Sequence, residues 1–385
     1  MDVWLVTGAA GFVGAHVCRR LLGEGRVVVG VDSLNDYYDP RLKHARLEQL
    51  VAPAAAHASG IHVGEQTGDL TAVAAANPRA RAGALDERLP GGRFTFERLD
   101  LSDRAAVLEL FLRVRPGHVV HLAAQAGVRH SLSAPHSYVQ ANLVGFANIL
   151  EGCQQLRDAG EPTSHLVYAS SSSVYGGDER LPFDAHDPYA AGHPVSLYAA
   201  TKRANELMAH AYSHLYDLPA TGLRFFTVYG PYGRPDMAYW KFADAILTGR
   251  EIVIYGDGSA LRDFTYVDDV VESLVRVAHA PPGKNAVFDP GQPDPAASAA
   301  PWRVCNIGFG GQASVEQLIG LLEDALGRPA HRRYTDAVPG DVPATRADTG
   351  DLSELTGYVP QVALQDGIIR FASWYESWWS LHGSM

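Results

Sequence analysis

The chain has 385 residues, which suggests either two domains or one large domain. Its hydrophobic content of 46% and charged content of 19% are typical of a globular protein. The formal net charge of −11 argues against a nucleic-acid partner, although a few local arginines could still bind an anionic ligand.

The cysteine pattern indicates the compartment. Cys18, Cys153 and Cys305 lie far apart in the chain and form no Cys-x-x-Cys pair. This is neither a disulfide framework nor a zinc site, and it suits a reducing, cytoplasmic location. We also predict no metal, because we identify no metal-ligand cluster such as His-x-x-x-His on a helix among the 16 histidines. The N-terminus has no basic region, and no run of 18 apolar residues occurs, so we expect neither a signal peptide nor a membrane partner.

The N-terminal segment predicts a dinucleotide-binding turn. A short apolar run at 3–6 precedes Gly8, Gly11 and Gly14, and the next strand ends at Asp32. The glycines let the backbone approach a pyrophosphate, and the following helix offers free N–H groups and the positive end of its dipole. Asp32 can accept hydrogen bonds from the adenosine ribose, which favours NAD over NADP. The alternative is a glycine-rich turn needed only for close packing.

Further strands and helices alternate along the chain, with helices expected at about 103–114, 136–156 and 197–216. This alternation predicts an α/β fold, a Rossmann-type doubly wound parallel sheet with a smaller α/β C-terminal substrate lobe. We assign residues 1–230 to the dinucleotide domain and 231–385 mainly to the lobe, from which some segments could return to the sheet.

Residues 51–92 are rich in Ala, Gly, Arg and Pro. They predict a surface insertion that carries no recognisable chemistry.

A serine-rich strand end and a Tyr-x-x-x-Lys helix predict the reactive centre. The strand at about 166–170 delivers Ser171 to the carboxyl edge of the sheet, where ligands bind in open α/β folds. Tyr198 and Lys202 lie one helical turn apart on one face. A nearby ammonium lowers the pKa of a phenol, ordinarily about 10, so that it can take a proton from a substrate hydroxyl. The alternative is a solvated helix surface.

The expected cofactor contacts follow the carboxyl ends of successive strands, where small residues leave room for the ligand. They are Gly8, Gly11, Phe12, Val13, Gly14, Asp32, Asp100, Leu101, Leu122, Ala123, Ala124, Gln125, Tyr198 and Lys202.

These motifs together resemble the extended short-chain dehydrogenase/reductases that act on nucleotide sugars, over nearly the whole chain apart from 51–92. Within that family, the stretches 34–40, 193–198, 224–230 and 233–238 are similar to those of UDP-glucuronate 4-epimerases. The resemblance implies a Rossmann domain that holds NAD tightly, a lobe that holds a UDP-sugar, and a homodimer joined through two helices of each subunit.

The resemblance also implies a mechanism. Tyr198 removes the proton of the C4 hydroxyl while C4 gives its hydride to NAD, Lys202 holds the phenolate, and Ser171 bonds the C4 oxygen. The 4-keto sugar then rotates and takes the hydride back on its other face. Dehydrating relatives carry Thr-Asp-Glu, and decarboxylases Thr-Ser-Glu, where this chain has serines at 171–173. The absence of that glutamate in this chain argues against dehydration and less firmly against decarboxylation.

The 4-keto sugar acid could lose CO2, so its carboxylate must be held. Ser172, Ser173, Thr227 and Arg234 are the candidates, because arginine binds a carboxylate through two charge-assisted hydrogen bonds. Alternatively, Arg234 could bond loop carbonyls or the UDP, and Thr227 could satisfy the backbone at a strand end.

Further substrate contacts come from the resemblance. Arg262 is similar to the family's diphosphate-binding arginine, and Asp341 to the residue near the uridine ribose. Met237 and Tyr255 complete the expected set. The usual Arg or Gln two places before Pro339 is not evident.

Three other functions stay open at this point. They are a 4-epimerase of UDP-glucose or a UDP-N-acetylhexosamine, a UDP-glucuronate decarboxylase, and a non-catalytic NAD-binding regulatory protein. Intact Tyr198, Lys202 and Ser171 count against the last.

Overall fold

The structure is a computed structural model that describes residues 2–51, 93–336 and 342–384. The predicted insertion, beyond Val51, and the expected uridine contact Asp341 lie outside the described residues.

The strands are numbered in chain order. They are β1 (Val3–Thr7), β2 (Val27–Asp32), β3 (Phe94–Arg98), β4 (His118–His121), β5 (His165–Ser171), β6 (Ala220–Phe225), β7 (Thr227–Tyr229), β8 (Glu251–Tyr255), β9 (Leu261–Arg262), β10 (Phe264–Tyr266), β11 (Trp302–Ile307), β12 (Ala313–Ser314) and β13 (His331–Thr335).

The helices follow the same convention. They are α1 (Phe12–Gly23), α2 (Pro40–Val51), α3 (Arg104–Val114), α4 (His130–Ser133), α5 (Pro135–Tyr138), α6 (Gly145–Asp158), α7 (Leu197–Tyr216), α8 (Ala238–Thr248), α9 (Val267–Ala278), α10 (Val315–Leu326), α11 (Gly350–Thr356) and α12 (Leu364–His382). A π-helical segment, Val139–Val144, joins α5 to α6, and a short 3₁₀ helix, Ser172–Tyr175, follows β5.

Seven strands form the central sheet in the order β11-β6-β5-β4-β1-β2-β3, and every pairing in it is parallel. Strands buried on both faces read as continuous apolar runs, and alternate side chains enter opposite cores. Leu5 and Val29 pack in one core with Phe146, whereas Trp4 and Val28 pack in the other. Helices therefore cover both faces, which confirms the prediction of a doubly wound parallel sheet.

The strand order reverses between β1 and β4, and ligands bind at such a switch point in open α/β sheets. β11 lies at the edge of the sheet, paired with β6 along its length, although it follows residue 231 in the chain. Three further two-stranded sheets pair β7 with β10, β9 with β12 and β8 with β13. Among the helices of the described residues, none is long and apolar enough to span a membrane.

Candidate active site

A cleft of about 1260 Å³ opens at the carboxyl ends of the central strands and continues into the smaller lobe. Every predicted site residue that the structure describes lines this cleft. From the Rossmann side these are Gly8, Gly11, Phe12, Val13, Gly14, Asp32, Asp100, Leu101, Leu122, Ala123, Ala124, Gln125, Ser171, Ser172, Ser173, Tyr198 and Lys202, and from the other side Thr227, Arg234, Met237, Tyr255 and Arg262.

The glycine-rich turn between β1 and α1 is built for close backbone approach. Gly8 has φ +72°, and a Cβ placed on Gly14 would lie 2.0 Å from the Gly8 carbonyl oxygen. Only glycine fits at Gly14, so α1 can start directly against the turn. Its N-terminal N–H groups then face the cleft, which suits the pyrophosphate of a dinucleotide.

The end of β2 carries a buried acid with a cationic neighbour that the sequence analysis did not identify. Asp32 accepts a hydrogen bond from the backbone N–H of Leu34 at 2.8 Å. Lys43, on α2, places Nζ 3.5 Å from the Asp32 carboxylate and donates to Asn35 at 2.8 Å. This end of the cleft thus offers both acceptors and a donor to a ribose.

Tyr198 and Ser171 meet on the floor of the cleft. Ser196 caps α7 by accepting from the Ala199 N–H at 3.1 Å, so the helix starts just before Tyr198. The Ser171 hydroxyl is one of the groups that lower the pKa of the Tyr198 phenol. Ser171 also donates its hydroxyl to the Ser173 hydroxyl at 3.1 Å, which joins two members of the serine run.

Lys202 has its own hydrogen-bond partner in the strand below α7. Its Nζ donates to the Ala169 carbonyl at 2.9 Å. Burial raises the pKa of Tyr198, and the opposing influences are the Ser171 hydrogen bond and the Arg234 charge. Burial likewise lowers the pKa of Lys202 to about 8, with the Glu206 charge opposing. Burial is the largest influence on both pKa values, because Lys202 is buried and Tyr198 is half-buried, so that the charged form of each is poorly solvated.

The helix expected at 136–156 is interrupted by the π-helical segment Val139–Val144. Residues of this segment connect two elements that line the site. Asn142 accepts from the backbone N–H of Gln125 at 2.8 Å and donates to the Thr201 hydroxyl at 3.0 Å. Asn205 donates to the Asn142 carbonyl at 2.7 Å. The segment therefore ties α7 to the loop after β4, and π-helical turns often occur at functional sites.

Arg234 faces the cleft but is engaged by a neighbour in the same loop. Its Nε and Nη2 donate to the two Asp236 oxygens at 3.0 and 2.6 Å. Burial lowers the pKa of Arg234, but the Asp236 charge outweighs it and the net shift is upward. The sequence analysis assigned no role to Asp236. Thr227 starts β7 and lines the cleft nearby.

The far end of the cleft carries cations and an aromatic ring. The Arg129 guanidinium lies 4.6 Å from the centre of the Tyr255 ring, which joins the loop after β4 to β8. Arg129 is a second cationic residue that the sequence analysis missed. Arg262 donates to the Leu261 carbonyl at 2.8 Å.

The expectation that no His-x-x-x-His pair lies on a helix is wrong for one pair of histidines. His210 and His214 are four residues apart on α7, with ring centres 6.4 Å apart. In the described part of the chain, no group of three or more His, Cys, Asp or Glu side chains could hold a metal ion.

The fold and the cleft define a nucleotide-binding α/β protein with a Ser, Tyr and Lys centre at the sheet edge. Residues 4–288 match the model of the NAD dependent epimerase/dehydratase family. The chain belongs to this family, which confirms the resemblance and NAD as the cofactor.

Individual relatives are similar over nearly the whole of this chain. A probable UDP-glucuronate 4-epimerase of Rhizobium meliloti (strain 1021) is 44% identical, covering 97% of this chain and 96% of its own. UDP-glucuronate 4-epimerase 1 of Arabidopsis thaliana is 41% identical, and the match covers 97% of this chain and 77% of the relative. The crystal structure of UDP-glucuronic acid 4-epimerase from Bacillus cereus with UDP-glucuronic acid and NAD superimposes with a TM-score of 0.75 at 28% identity, covering 98% and 100%.

Proposed function

We propose that the protein inverts C4 of UDP-glucuronate to give UDP-galacturonate, using tightly bound NAD. One observation carries the proposal: Arg234, a cation able to take a sugar carboxylate, lines the same cleft as Ser171 and Tyr198. The names of the relatives support the same activity. We assign residues 1–230 mainly to the cofactor and 231–385 mainly to the UDP-sugar.

The reactive groups have separate tasks in this proposal. Tyr198 takes the proton of the C4 hydroxyl, and Ser171, which lines the same cleft, holds the C4 oxygen. Lys202, fixed by the Ala169 carbonyl, adds positive charge below the nicotinamide end of the cleft. The glycine-rich turn would hold NAD, which would supply a reversible acceptor for the hydride of C4, so that the sugar would undergo no net redox change.

The sugar carboxylate must be held during the ketone stage. Decarboxylation would break the C5–C6 bond and leave its electron pair on C5, conjugated with the C4 ketone. Arg234, with Thr227, Ser172 and Ser173, holds the carboxylate out of that alignment. Arg262 takes the diphosphate, and Met237, Tyr255 and Asp341 complete the UDP-sugar contacts.

The test is to incubate the purified protein with UDP-glucuronate, with and without added NAD, and to identify the nucleotide sugars formed. UDP-galacturonate is the expected product. A UDP-pentose with CO2 would make the protein a decarboxylase. Turnover of UDP-glucose or a UDP-N-acetylhexosamine alone would overturn the carboxylate roles of Arg234 and Thr227 and leave Tyr198 and Lys202 in place.

Tyr198→Phe separates an enzyme from a non-catalytic NAD-binding protein. Removal of a general base lowers kcat by about 10²–10⁴-fold. We expect that loss with the bound NAD content unchanged, measured by absorbance after release of the nucleotide. A variant that kept its turnover would contradict the role of Tyr198.

We further propose a cytoplasmic homodimer. Three free, buried cysteines suit a reducing compartment. α7 exposes Leu207 and Leu215, apolar side chains that suit packing against a second copy. Light scattering of the purified protein should give twice the 41.5 kDa chain mass, and Leu207→Glu with Leu215→Glu should halve it. A monomeric wild type would contradict the dimer.

A further inference from the structure

The loop that carries Arg234 holds a chain of three polar side chains at the edge of the cleft. The Tyr37 hydroxyl donates to Asp236 at 3.3 Å, and Asp236 in turn receives both donors of the Arg234 side edge. Tyr37 lies in the loop after β2, nearly two hundred residues from its partner in the sequence. The three side chains line the cleft that Tyr198 also lines.

The position of Tyr37 is itself constrained. Gly127 has φ +101°, and a Cβ there would lie 2.8 Å from the Tyr37 hydroxyl. Tyr138 donates to the Gly127 carbonyl at 2.6 Å, which holds that backbone in place. Tyr37 therefore fits against Gly127, and its hydroxyl is directed to Asp236 by the surrounding backbone.

The geometry at Arg234 divides the guanidinium into two edges. A guanidinium can bind one carboxylate through Nε and Nη2 and another through Nη1 and Nη2, because its donors lie in one planar fork. Asp236 uses the Nε and Nη2 edge. The Nη1 and Nη2 edge is then the one presented to a ligand carboxylate.

We propose that Asp236, braced by the Tyr37 hydroxyl, is a positioning residue that orients Arg234 for the carboxylate of the sugar acid. This inference rests on the proposed function and deepens it. Asp236 keeps its place on Arg234 while the substrate is bound, so it sets the direction of the guanidinium and does not compete with the sugar. The pair thereby contributes to selectivity for an acidic over a neutral sugar.

The charges are consistent with this arrangement. Burial raises the pKa of Asp236, but the Arg234 charge and hydrogen bonds outweigh it and the net shift is downward, so Asp236 is a carboxylate at neutral pH. Burial and the Asp236 charge raise the pKa of Tyr37 to about 12, so its hydroxyl keeps the proton that it donates. The neutral Tyr37 hydroxyl thus donates to the Asp236 carboxylate, which pairs with the positively charged Arg234 guanidinium.

The test is Asp236→Asn in the NAD-loaded enzyme. We expect UDP-glucuronate to bind about tenfold more weakly by titration calorimetry, since one charge-assisted contact to Arg234 is lost. Binding of UDP-glucose should change by less than about twofold. In turnover, kcat/KM for UDP-glucuronate should fall by a similar factor, and the fraction of UDP-pentose among the products should rise.

A matched control exists elsewhere in the chain. Arg180 donates through the same two atoms, Nε and Nη2, to Asp178 at 2.9 and 2.6 Å, with the same spacing of two residues. This pair does not line the cleft. Asp178→Asn should therefore leave binding, turnover and product ratio unchanged.

Three results would overturn the inference. Equal losses for the acidic and the neutral sugar, together with a lower unfolding midpoint or NAD content, would make Asp236 a structural residue. Tighter binding of UDP-glucuronate would make it a competitor of the sugar carboxylate. No change at all would remove it from the site.

Tyr37→Phe keeps the inference testable if Asp236→Asn does not fold. It removes only the hydroxyl and should weaken UDP-glucuronate binding in the same direction, by about threefold. Unchanged binding of UDP-glucuronate to this variant would contradict the bracing role.

The binding measurement also separates this inference from the proposed function. A wild-type protein that binds UDP-glucuronate but makes no UDP-galacturonate would contradict the epimerase activity. The effect of Asp236→Asn on the binding of UDP-glucuronate, compared with its effect on the binding of UDP-glucose, would still decide the role of Asp236.

Discussion

Two arginine–carboxylate pairs in this protein use the same donor atoms in different surroundings. Arg224 donates Nε and Nη2 to Glu206 at 2.9 and 3.0 Å, and Arg234 donates the same two atoms to Asp236 at 3.0 and 2.6 Å. The side chains of the first pair are 1% and 0% exposed, and those of the second 24% and 26%.

The buried pair joins distant elements. Glu206 lies in α7 and Arg224 in β6, and Glu206 also accepts from Ser170 at 2.6 Å. Arg224 in addition donates to the Tyr175 hydroxyl at 3.0 Å. These bonds fasten α7, and with it Tyr198, to the strands beneath the site.

The cleft pair itself joins two neighbours in one loop, and its link to another element is the single Tyr37 hydroxyl contact at 3.3 Å, so it adds less to the fold and mainly sets the direction of one side chain. Pairs that connect separate elements and are closed to water affect stability, because one member alone would remain charged in the interior. Pairs that are local and open to a ligand affect binding.

The largest expected effect is from Glu206→Gln. Breaking a buried pair leaves the Arg224 charge uncompensated and costs about 3–5 kcal/mol of unfolding free energy. Urea unfolding followed by far-UV circular dichroism measures it. Glu97→Gln is the control, because Glu97 accepts from Arg113 through two bonds on the outside of the protein and should cost about 1 kcal/mol or less. Similar losses for both variants would remove the distinction between buried and open pairs.

Lys202 is a buried cation that contacts a carbonyl rather than a carboxylate, so we expect it to lower stability at neutral pH. Burial lowers its pKa to about 8. Between pH 8 and the unfolded value near 10.4, the unfolded chain binds more protons, and unfolding free energy rises with pH. The rise contributed by Lys202 is up to about 3 kcal/mol.

Lys202→Met should abolish this part of the pH dependence and stabilise the protein at pH 7. Denaturant unfolding at several pH values from 7 to 10.5 measures both effects. Lys284→Met is the control, since Lys284 pairs with Asp217 on the surface and should leave the slope as in the wild type. If the unfolding free energy of the Lys202→Met variant rose with pH as steeply as that of the wild type, Lys202 would not be the destabilising charge.

Local signals explain what the sequence could predict. Helix α7 has the expected bounds, 197–216, because Ser196 is a strong N-cap directly before the helical pattern. The glycine-rich turn and Asp32 are adjacent to strands, so their place in the fold follows from a short stretch of chain.

Helices α2 and α9 are among those that were missed, although each carries a local start signal. The sequence analysis assigns no helix to α2, which starts at Pro40, or to α9, which has Asp268 and Asp269 in its first turn. Proline at the first position and acids in the first turn are both typical of helix starts. Without α2, Lys43 could not be placed beside Asp32.

The partners inside the site could not be predicted from the pattern, because they depend on tertiary structure. Arg234 is a candidate for binding a carboxylate by its residue type, but that Asp236 occupies one of its edges depends on the conformation of the loop. The orientation of Lys202 toward the Ala169 carbonyl rather than toward Tyr198 depends equally on how α7 packs against β5.

The smallest of these effects is expected from Arg234→Lys, which keeps the charge at the cleft pair but loses the planar fork. A lysine cannot bond Asp236 and a sugar carboxylate through separate edges, so kcat/KM for UDP-glucuronate should fall about thirtyfold, or about 2 kcal/mol of transition-state stabilisation. The unfolding free energy should change by less than about 1 kcal/mol, since this pair is partly exposed to solvent and the charge at 234 is kept. Arg180→Lys, at the matched surface pair, should alter neither quantity. If Arg234→Lys destabilised the protein as strongly as Glu206→Gln, the cleft pair would be part of the framework, and the division between the two pairs would fail.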